Sequence, residues 1–248
     1  MKPLRTLARA LGLRSKRRDD EPFAAQRRLV RSERAVIADV GAHVGQTAQR
    51  YRALFPQATI HSFEPFPASF DTLARTLERD ANAHAHAVAL GAAPGRGSLN
   101  VNSSSATNSL LPSDARAHSY WGGGLLDTNG TIDVRITTLD AFCVEQSIAH
   151  VDILKLDVQG SEFEVLNGAA GLLQRQAVDV IYMEMITAPT YVGQHDLHDY
   201  LGLARSYGYV LFDFYNAVRK RGRLLQTDNL LVAEPFLEAY ERTYAGVD

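Results

Sequence analysis

The chain has 248 residues, 46% hydrophobic and 22% charged, an ordinary globular composition with enough length for one large α/β domain around a single core. Residues 1–18 hold seven of the 26 basic side chains and no acid, which leaves 19 basic against 28 acidic residues, or −9, in the rest; nucleic acid gripped through a broad basic face is therefore not an expected partner. Cys143 is the single cysteine, which excludes an intrachain disulfide and leaves the compartment reducing or unmarked, and no apolar run approaches the length of a membrane-spanning helix.

The first stretch, "MKPLRTLARALGLRSKRR", is basic, but Arg5 and Arg9 interrupt its apolar residues, so it does not read as a signal peptide. Leu4, Leu7, Ala8 and Leu11 recur at helical spacing. We take residues 1–23 as a basic amphipathic segment ahead of a domain over 24–248. Two readings stand for 1–18: a helix packed on the domain or a frayed terminus, or peripheral contact with an anionic membrane surface or a partner. The expected location is cytoplasmic, at the inner face of the membrane in the second reading.

From Asp19 to Gln26 the chain is polar, and then apolar runs alternate with helical patterns. "AVIAD" (35–39) reads as a buried strand, "GQTAQRYRALF" (45–55) as a helix stopped by Pro56, and "ATIHSFEP" (58–65) as a second strand. A helix over 67–80 follows, with Phe70, Leu73 and Leu77 on one stripe, then a third strand over 83–90. Such alternation implies right-handed βαβ units and a parallel sheet. The pattern then changes: alternating strands over 95–104 and 131–140 flank a polar, glycine-rich stretch. We read 95–138 as an insertion over the strand ends, a β-ribbon with a mobile tip. Strands over 151–157 and 178–185 and helical segments over 161–174 and 197–208 resume the alternation. The runs 209–215 and 228–234 have no helix between them and are expected as an antiparallel pair at the sheet edge. The fold class is thus α/β, a doubly wound, mostly parallel seven-stranded, Rossmann-like sheet with a β-ribbon and loop insertion.

"VIADVGAHVGQT" (36–47) places a glycine loop after the first strand. In the dinucleotide fingerprint G-x-G-x-x-G the crowded glycines admit a pyrophosphate; here His43 stands where the second glycine would be. S-adenosylmethionine (SAM) has no phosphate. Asp39 at the end of the first strand suits its ammonium and sulfonium and would repel a pyrophosphate. The helix start at Gly45 offers free N–H groups to its carboxylate. Glu64, 23 residues after Gly41, can accept from both ribose hydroxyls, as acids do in nicotinamide folds too. Local alternatives are a loop cap for Asp39 and a surface acid before a proline for Glu64.

The segments "DVGAHVGQTA", "FEPFPASFDTL", "AVALG", "TTLD", "VDILKLDVQGSEFEVLNGA" and "DNLLVA" occur in this order. Together they resemble the FkbM family of SAM-dependent methyltransferases over roughly residues 24–234. The loop D-V-G-A-x-x-G combined with K-x-D-V-x-G-x-E makes the match specific. The resemblance implies a class I methyltransferase fold and O-methylation of a hydroxyl on a glycan, glycolipid or glycosylated natural product. It departs at His43, where the family usually has Asn, and at Gln159, where it usually has Glu. The candidate cofactor set is Asp39, Gly41, Ala42, His43, Gly45, Thr47, Glu64, Pro65, Ala89, Leu90 and Asp157.

In a doubly wound sheet the ligand sits outside the carboxyl ends of the strands. Asp157 there is the candidate general base for a poorly nucleophilic hydroxyl, with Leu154, Leu156 and Val158 as apolar neighbours. Its alternative is a role orienting cofactor or loop. Glu184 is its candidate partner, and the two acids are a weak ligand set for Mg²⁺. Glu162 reads as a helix N-terminal acid. His195, in "GQHDLHDY", is a second candidate base or a surface polar residue. His84 and His86 share one strand face, but with no third histidine in register a zinc site is not expected. In the insertion, Asn108 and Ser109 with the aromatic Tyr120 and Trp121 beside Gly122–Gly124 suit a saccharide, and we expect a lid closing on it; the alternative is a surface loop with one anchoring aromatic. Two other function classes remain: a degenerate module that binds SAM or a glycan without turnover, and an NAD-dependent oxidoreductase.

Overall fold

A computed structural model describes residues 21–243; the basic segment 1–18 lies outside the described residues. Strands β1 (Val36–Val40), β2 (Thr59–Phe63) and β3 (Ala83–His86) alternate with helices α2 (Gln46–Leu54) and α3 (Pro67–Leu77), after a first helix α1 (Pro22–Leu29). The third expected strand divides. Ala83–His86 pairs with β2, while Ala89–Leu90 (β4) leaves for a small sheet with β5 (Gly95–Asn102) and β6 (Thr128–Thr137). The β5–β6 pair is the antiparallel ribbon expected at the base of the insertion.

After α4 (Leu139–Glu145) the chain returns to the main sheet with β7 (Val151–Leu156), β8 (Val178–Ile186), β9 (Tyr209–Lys220) and β10 (Arg223–Ala233). The helical segment expected over 161–174 is two helices, α5 (Glu162–Asn167) and α6 (Ala170–Gln174). They break at Gly168, where a β-carbon would lie 2.0 Å from the Gly91 carbonyl oxygen; the close approach of two chains interrupts the helix. Helix α7 (Leu197–Ser206) precedes β9, and α8 (Glu234–Arg242) follows β10.

The seven strands lie in the order β3-β2-β1-β7-β8-β10-β9, parallel except for β10, which is antiparallel to both β8 and β9. The expected edge pair is therefore present, with β10 inside and β9 outermost. Helices cover both faces, because strands buried on two sides need two apolar layers. One face packs on α1, α2 and α3 through Phe23, Leu29, Tyr51, Leu73 and Leu77. The other packs on α4 to α7 through Phe142, Val165, Leu166, Leu172 and Tyr200. The parallel strands all end on one side of the sheet, where β1 and β7 are neighbours and Asp157 N–H donates to the Val40 carbonyl (3.1 Å). Among the described residues, no helix is long and apolar enough to cross a membrane.

Candidate active site

The β1–α2 loop turns back over the end of β7. Gly41 has φ +75°, and a β-carbon there would sit 1.8 Å from the Asp157 carbonyl oxygen. The glycine is thus required by backbone contact between two strand ends. Beneath it lies the lysine that opens the K-x-D-V-x-G-x-E segment, to which motif reading gave no role. Lys155, in an otherwise apolar strand and only 5% exposed, places Nζ 3.0 Å from Asp39 Oδ1 and donates to the carbonyls of Gly41 (2.9 Å) and Val40 (3.3 Å). Burial opposes the ammonium, but attraction to Asp39, Asp157 and Glu184 outweighs it and holds Lys155 above the usual lysine range.

A cavity of about 300 Å³ opens over these strand ends. Gly41, Ala42, His43 and Thr47 line it from the β1–α2 loop, Glu64 and Pro65 from the end of β2, and Ala89 and Leu90 from β4. Asp157 lines it at the end of β7, and Asn108 and Ser109 line it from the insertion. Gln46, which the motif reading did not single out, belongs to the same wall. The cap residue Gly45 has φ +95° and supplies no side-chain cap, so the first-turn N–H groups of α2 are left for another partner. Glu64, 8% exposed, accepts from His43 N–H on one carboxylate oxygen and from Phe66 N–H on the other, both at 2.9 Å. Burial pushes its carboxyl up against these two bonds. His43 has φ +50° and shares a 2.9 Å hydrogen bond with Ser105 Oγ, which ties the loop to the insertion.

Beside the cavity two acids share one amide. Gln159 Nε2 donates to Asp157 Oδ1 (2.8 Å) and to Glu184 Oε2 (2.9 Å), and its Oε1 accepts from the Tyr191 hydroxyl (2.8 Å). Gln226 donates to the other oxygen of Glu184. Burial first, then the charges of Asp157, Glu162 and Asp228, push Glu184 well above the usual carboxylate range. Asp157 has 42% of its side chain exposed. Beneath this pair Glu162 is 1% exposed and closes the β7–α5 loop, accepting from Val158 N–H (2.9 Å) and Gly160 N–H (3.0 Å); burial pushes its carboxyl up to about 7.

The methyltransferase FkbM domain model matches residues 39–211, which carry this arrangement except for Gln226 and Asp228. The chain belongs to the FkbM methyltransferase family. It is similar to the 2-O-methyltransferase NoeI of Sinorhizobium fredii, 26% identical over 180 residues that cover 69% of this chain and 72% of NoeI. It is also similar to the hexuronic acid methyltransferase AglP of Haloferax volcanii, 28% identical over 150 residues covering 60% of this chain and 55% of AglP. The methyltransferase sdnD of Sordaria araneosa is 28% identical over 158 residues, 53% of this chain and 59% of sdnD. The chain thus spans less than two thirds of AglP and of sdnD.

Three expectations about this FkbM methyltransferase change with the geometry, and one weak alternative, a metal, meets an unsuitable donor set. Asp39 does not face the cavity: it is 0% exposed and its carboxylate faces Lys155 across the β1–β7 pair. Gly45 does not line the cavity either, and packs instead toward Leu73 and Thr76 of α3. His195 lies on the outer side, its ring stacked at 3.8 Å on Phe163 with Glu164 and Asp199 both 3.6 Å away, so it is no base for this cavity. The Gln159 amide occupies the place between Asp157 and Glu184 where Mg²⁺ would need lone pairs, and the donor set does not fit the ion.

The insertion of the FkbM chain is a wall more than a lid. Ser109 Oγ donates to the Gln159 carbonyl (2.7 Å), Tyr191 reaches the Thr107 carbonyl (3.1 Å), and Asp114 N–H donates to the Thr190 carbonyl (2.8 Å). Tyr120 accepts from Arg223 (2.9 Å), and Lys220 donates to the carbonyls of Ser119 and Tyr120, so the β9–β10 hairpin pins the far end. Neither Tyr120 nor Trp121 lines the large cavity. A third histidine is also present: His61 pairs in register with His84 and shares a 3.1 Å hydrogen bond with His86.

Proposed function

We propose that the chain transfers a methyl group from SAM to a hydroxyl of a sugar unit in a glycan, glycolipid or glycosylated metabolite. The observation that carries the cofactor choice is the charge of the cavity wall. Glu64 and Asp157 line it, and the ammonium of Lys155, which lines it too, is engaged by Asp39 and two backbone carbonyls. An anionic pyrophosphate meets two acids there; a cationic sulfonium and an ammonium meet favourable charge. The uncapped first turn of α2 suits the methionyl carboxylate, Glu64 retains lone pairs for the ribose hydroxyls, and Val88, Ala89, Leu90 and Leu99 form an apolar slot for adenine.

SAM, when bound, supplies an electrophilic methyl on a sulfonium that leaves as a neutral thioether. The protein's part is to hold the acceptor oxygen in line and to remove its proton. Asp157 takes that proton. Gln159 fixes the Asp157 carboxylate through Oδ1 and is itself fixed by Tyr191, so the proton acceptor has one orientation. Burial and the neighbouring carboxylates push the Glu184 carboxyl up beside Asp157. The names of NoeI and AglP, a 2-O-methyltransferase and a hexuronic acid methyltransferase, support a sugar hydroxyl as the acceptor.

Calorimetric titration tests the cofactor: SAM is expected to bind and NAD not to bind, and the opposite order sinks the reading. Incubation of the protein with methyl-labelled SAM and fractionated cell extracts tests the acceptor. Label in a saccharide-containing fraction, stable to mild base, is the expected result; label confined to protein or nucleic acid overturns it.

A further inference from the structure

A second cavity, about 100 Å³, lies between the insertion and the ends of β8 and β10. Trp121, Leu125, Leu126 and Ile186 make its apolar walls, and Gln159 and Gln226 its polar end. The indole is held in place by Nε1, which donates to Thr190 Oγ1 at 2.6 Å. Leu125 is 51% exposed and stands at the rim. Gln159 belongs to the walls of both cavities, so an occupant of the smaller one approaches Asp157 past the Gln159 amide.

The polar end has a definite charge. Both glutamine amides donate to Glu184, and Gln159 donates to Asp157 as well. Asp228 pairs in register with Glu184 and adds a third carboxyl, held by Tyr182 and Asn216. Lys155 is the cation that these acids feel, and its ammonium is spent on Asp39 and backbone carbonyls.

We propose that this cavity is the acceptor subsite, and that it takes a neutral sugar unit in preference to a uronate. The inference rests on the methyltransferase reading for the identity of the reacting site. The C–H face of a pyranose packs on the Trp121 indole and the Leu126 and Ile186 side chains, as flat rings and aliphatic walls favour. The ring hydroxyls meet the amides of Gln159 and Gln226. A sugar carboxylate would approach Asp157 at the polar end, where the neighbouring Lys155 ammonium is already engaged by Asp39 and backbone carbonyls, which makes that acid a repulsive filter.

The test uses the full chain saturated with S-adenosylhomocysteine and two probes, methyl glucopyranoside and methyl glucuronide, with binding followed by saturation-transfer NMR titration. The glucoside is expected to bind and the glucuronide to bind at least about tenfold more weakly. Trp121→Ala is expected to weaken the glucoside roughly fivefold or more while homocysteine-adduct affinity is kept. Leu125→Asn, at an exposed rim position where folding is not at stake, is expected to act in the same direction. Equal binding of the two probes, or glucoside binding unchanged in both variants, overturns the proposal. Absence of binding by either probe also overturns it; if S-adenosylhomocysteine still binds, the methyltransferase reading survives, and if it does not, both fall.

Discussion

Lys155 illustrates how a buried ion pair sets the charge of a cavity that it lines. With Nζ 3.0 Å from Asp39 and both partners buried, it turns a negative strand end into a neutral floor. Removing one member of such a pair leaves the other buried and uncompensated, so Lys155→Met is expected to cost ~3–5 kcal/mol in denaturant unfolding. The double change Lys155→Met with Asp39→Asn should recover a large part of that loss; no recovery would show that the two residues do not act as a pair. The role we propose for Asp157 is in the chemistry instead. Asp157→Asn is expected to lower turnover ~10²–10⁴-fold with SAM affinity nearly unchanged, and loss of SAM binding in step with activity would move the residue into the cofactor shell. Glu64 does two jobs, since its oxygens also hold the N–H groups of His43 and Phe66. Glu64→Ala should weaken SAM binding by ~1.5–3 kcal/mol, and Glu64→Gln, which keeps one acceptor oxygen, should lose less; calorimetry on the pair separates ribose contact from loop support.

At the level of elements, the β2–β3 edge carries a histidine stack. His61 lies between His84 and His86, with ring centroids 5.1 and 5.3 Å away, and Phe142 closes over it. Burial first, then neighbouring histidines, lower both His61 and His86 from 6.5 to about 4. The sign follows from proton counting: between pH 6.5 and about 4 the unfolded chain binds protons that the folded edge refuses. Stability is therefore full above pH 6.5 and is lost as the pH falls toward 4, by an amount on the order of 2–3 kcal/mol for one such histidine. His61→Leu should flatten that part of the curve of unfolding free energy against pH; an unchanged slope would mean the stack is open to solvent. The same edge shows why periodicity alone missed it: the register of β2 on β3 brings His61 opposite His84, and a register is a contact between strands far apart in sequence.

For the whole molecule, the insertion is the part that joins the two halves of the site. It roofs the first cavity through Asn108 and Ser109, forms the smaller one with Trp121 and Leu126, and is tied to the β8–α7 loop, the β7–α5 loop and the β9–β10 hairpin. A wall with that many anchors should show amide protection over 103–121 in the protein without ligand, so hydrogen exchange there is expected to be slow and to change little on adding SAM. Fast exchange that slows with an acceptor would restore the lid expected from the sequence.

The order of strands and helices, the antiparallel edge pair, the β-ribbon insertion and the family were legible in the chain, because apolar periodicity and the D-V-G-A-x-x-G and K-x-D-V-x-G-x-E segments are local in sequence. Helices α1, α4 and α8 were not read from the chain. Lys155 had one visible sign, a charge inside an apolar strand, and its meaning depended on Asp39 standing beside it in β1. What tertiary structure alone decided is which acids face the cavity. Asp39 and Asp157 both end or follow parallel strands, but one is covered by an ammonium and the other is left 42% exposed. Motif position makes them equal; burial and pairing, which are properties of neighbours across the sheet, make one a covered structural charge and leave the other open to the cavity, where we propose it takes the proton.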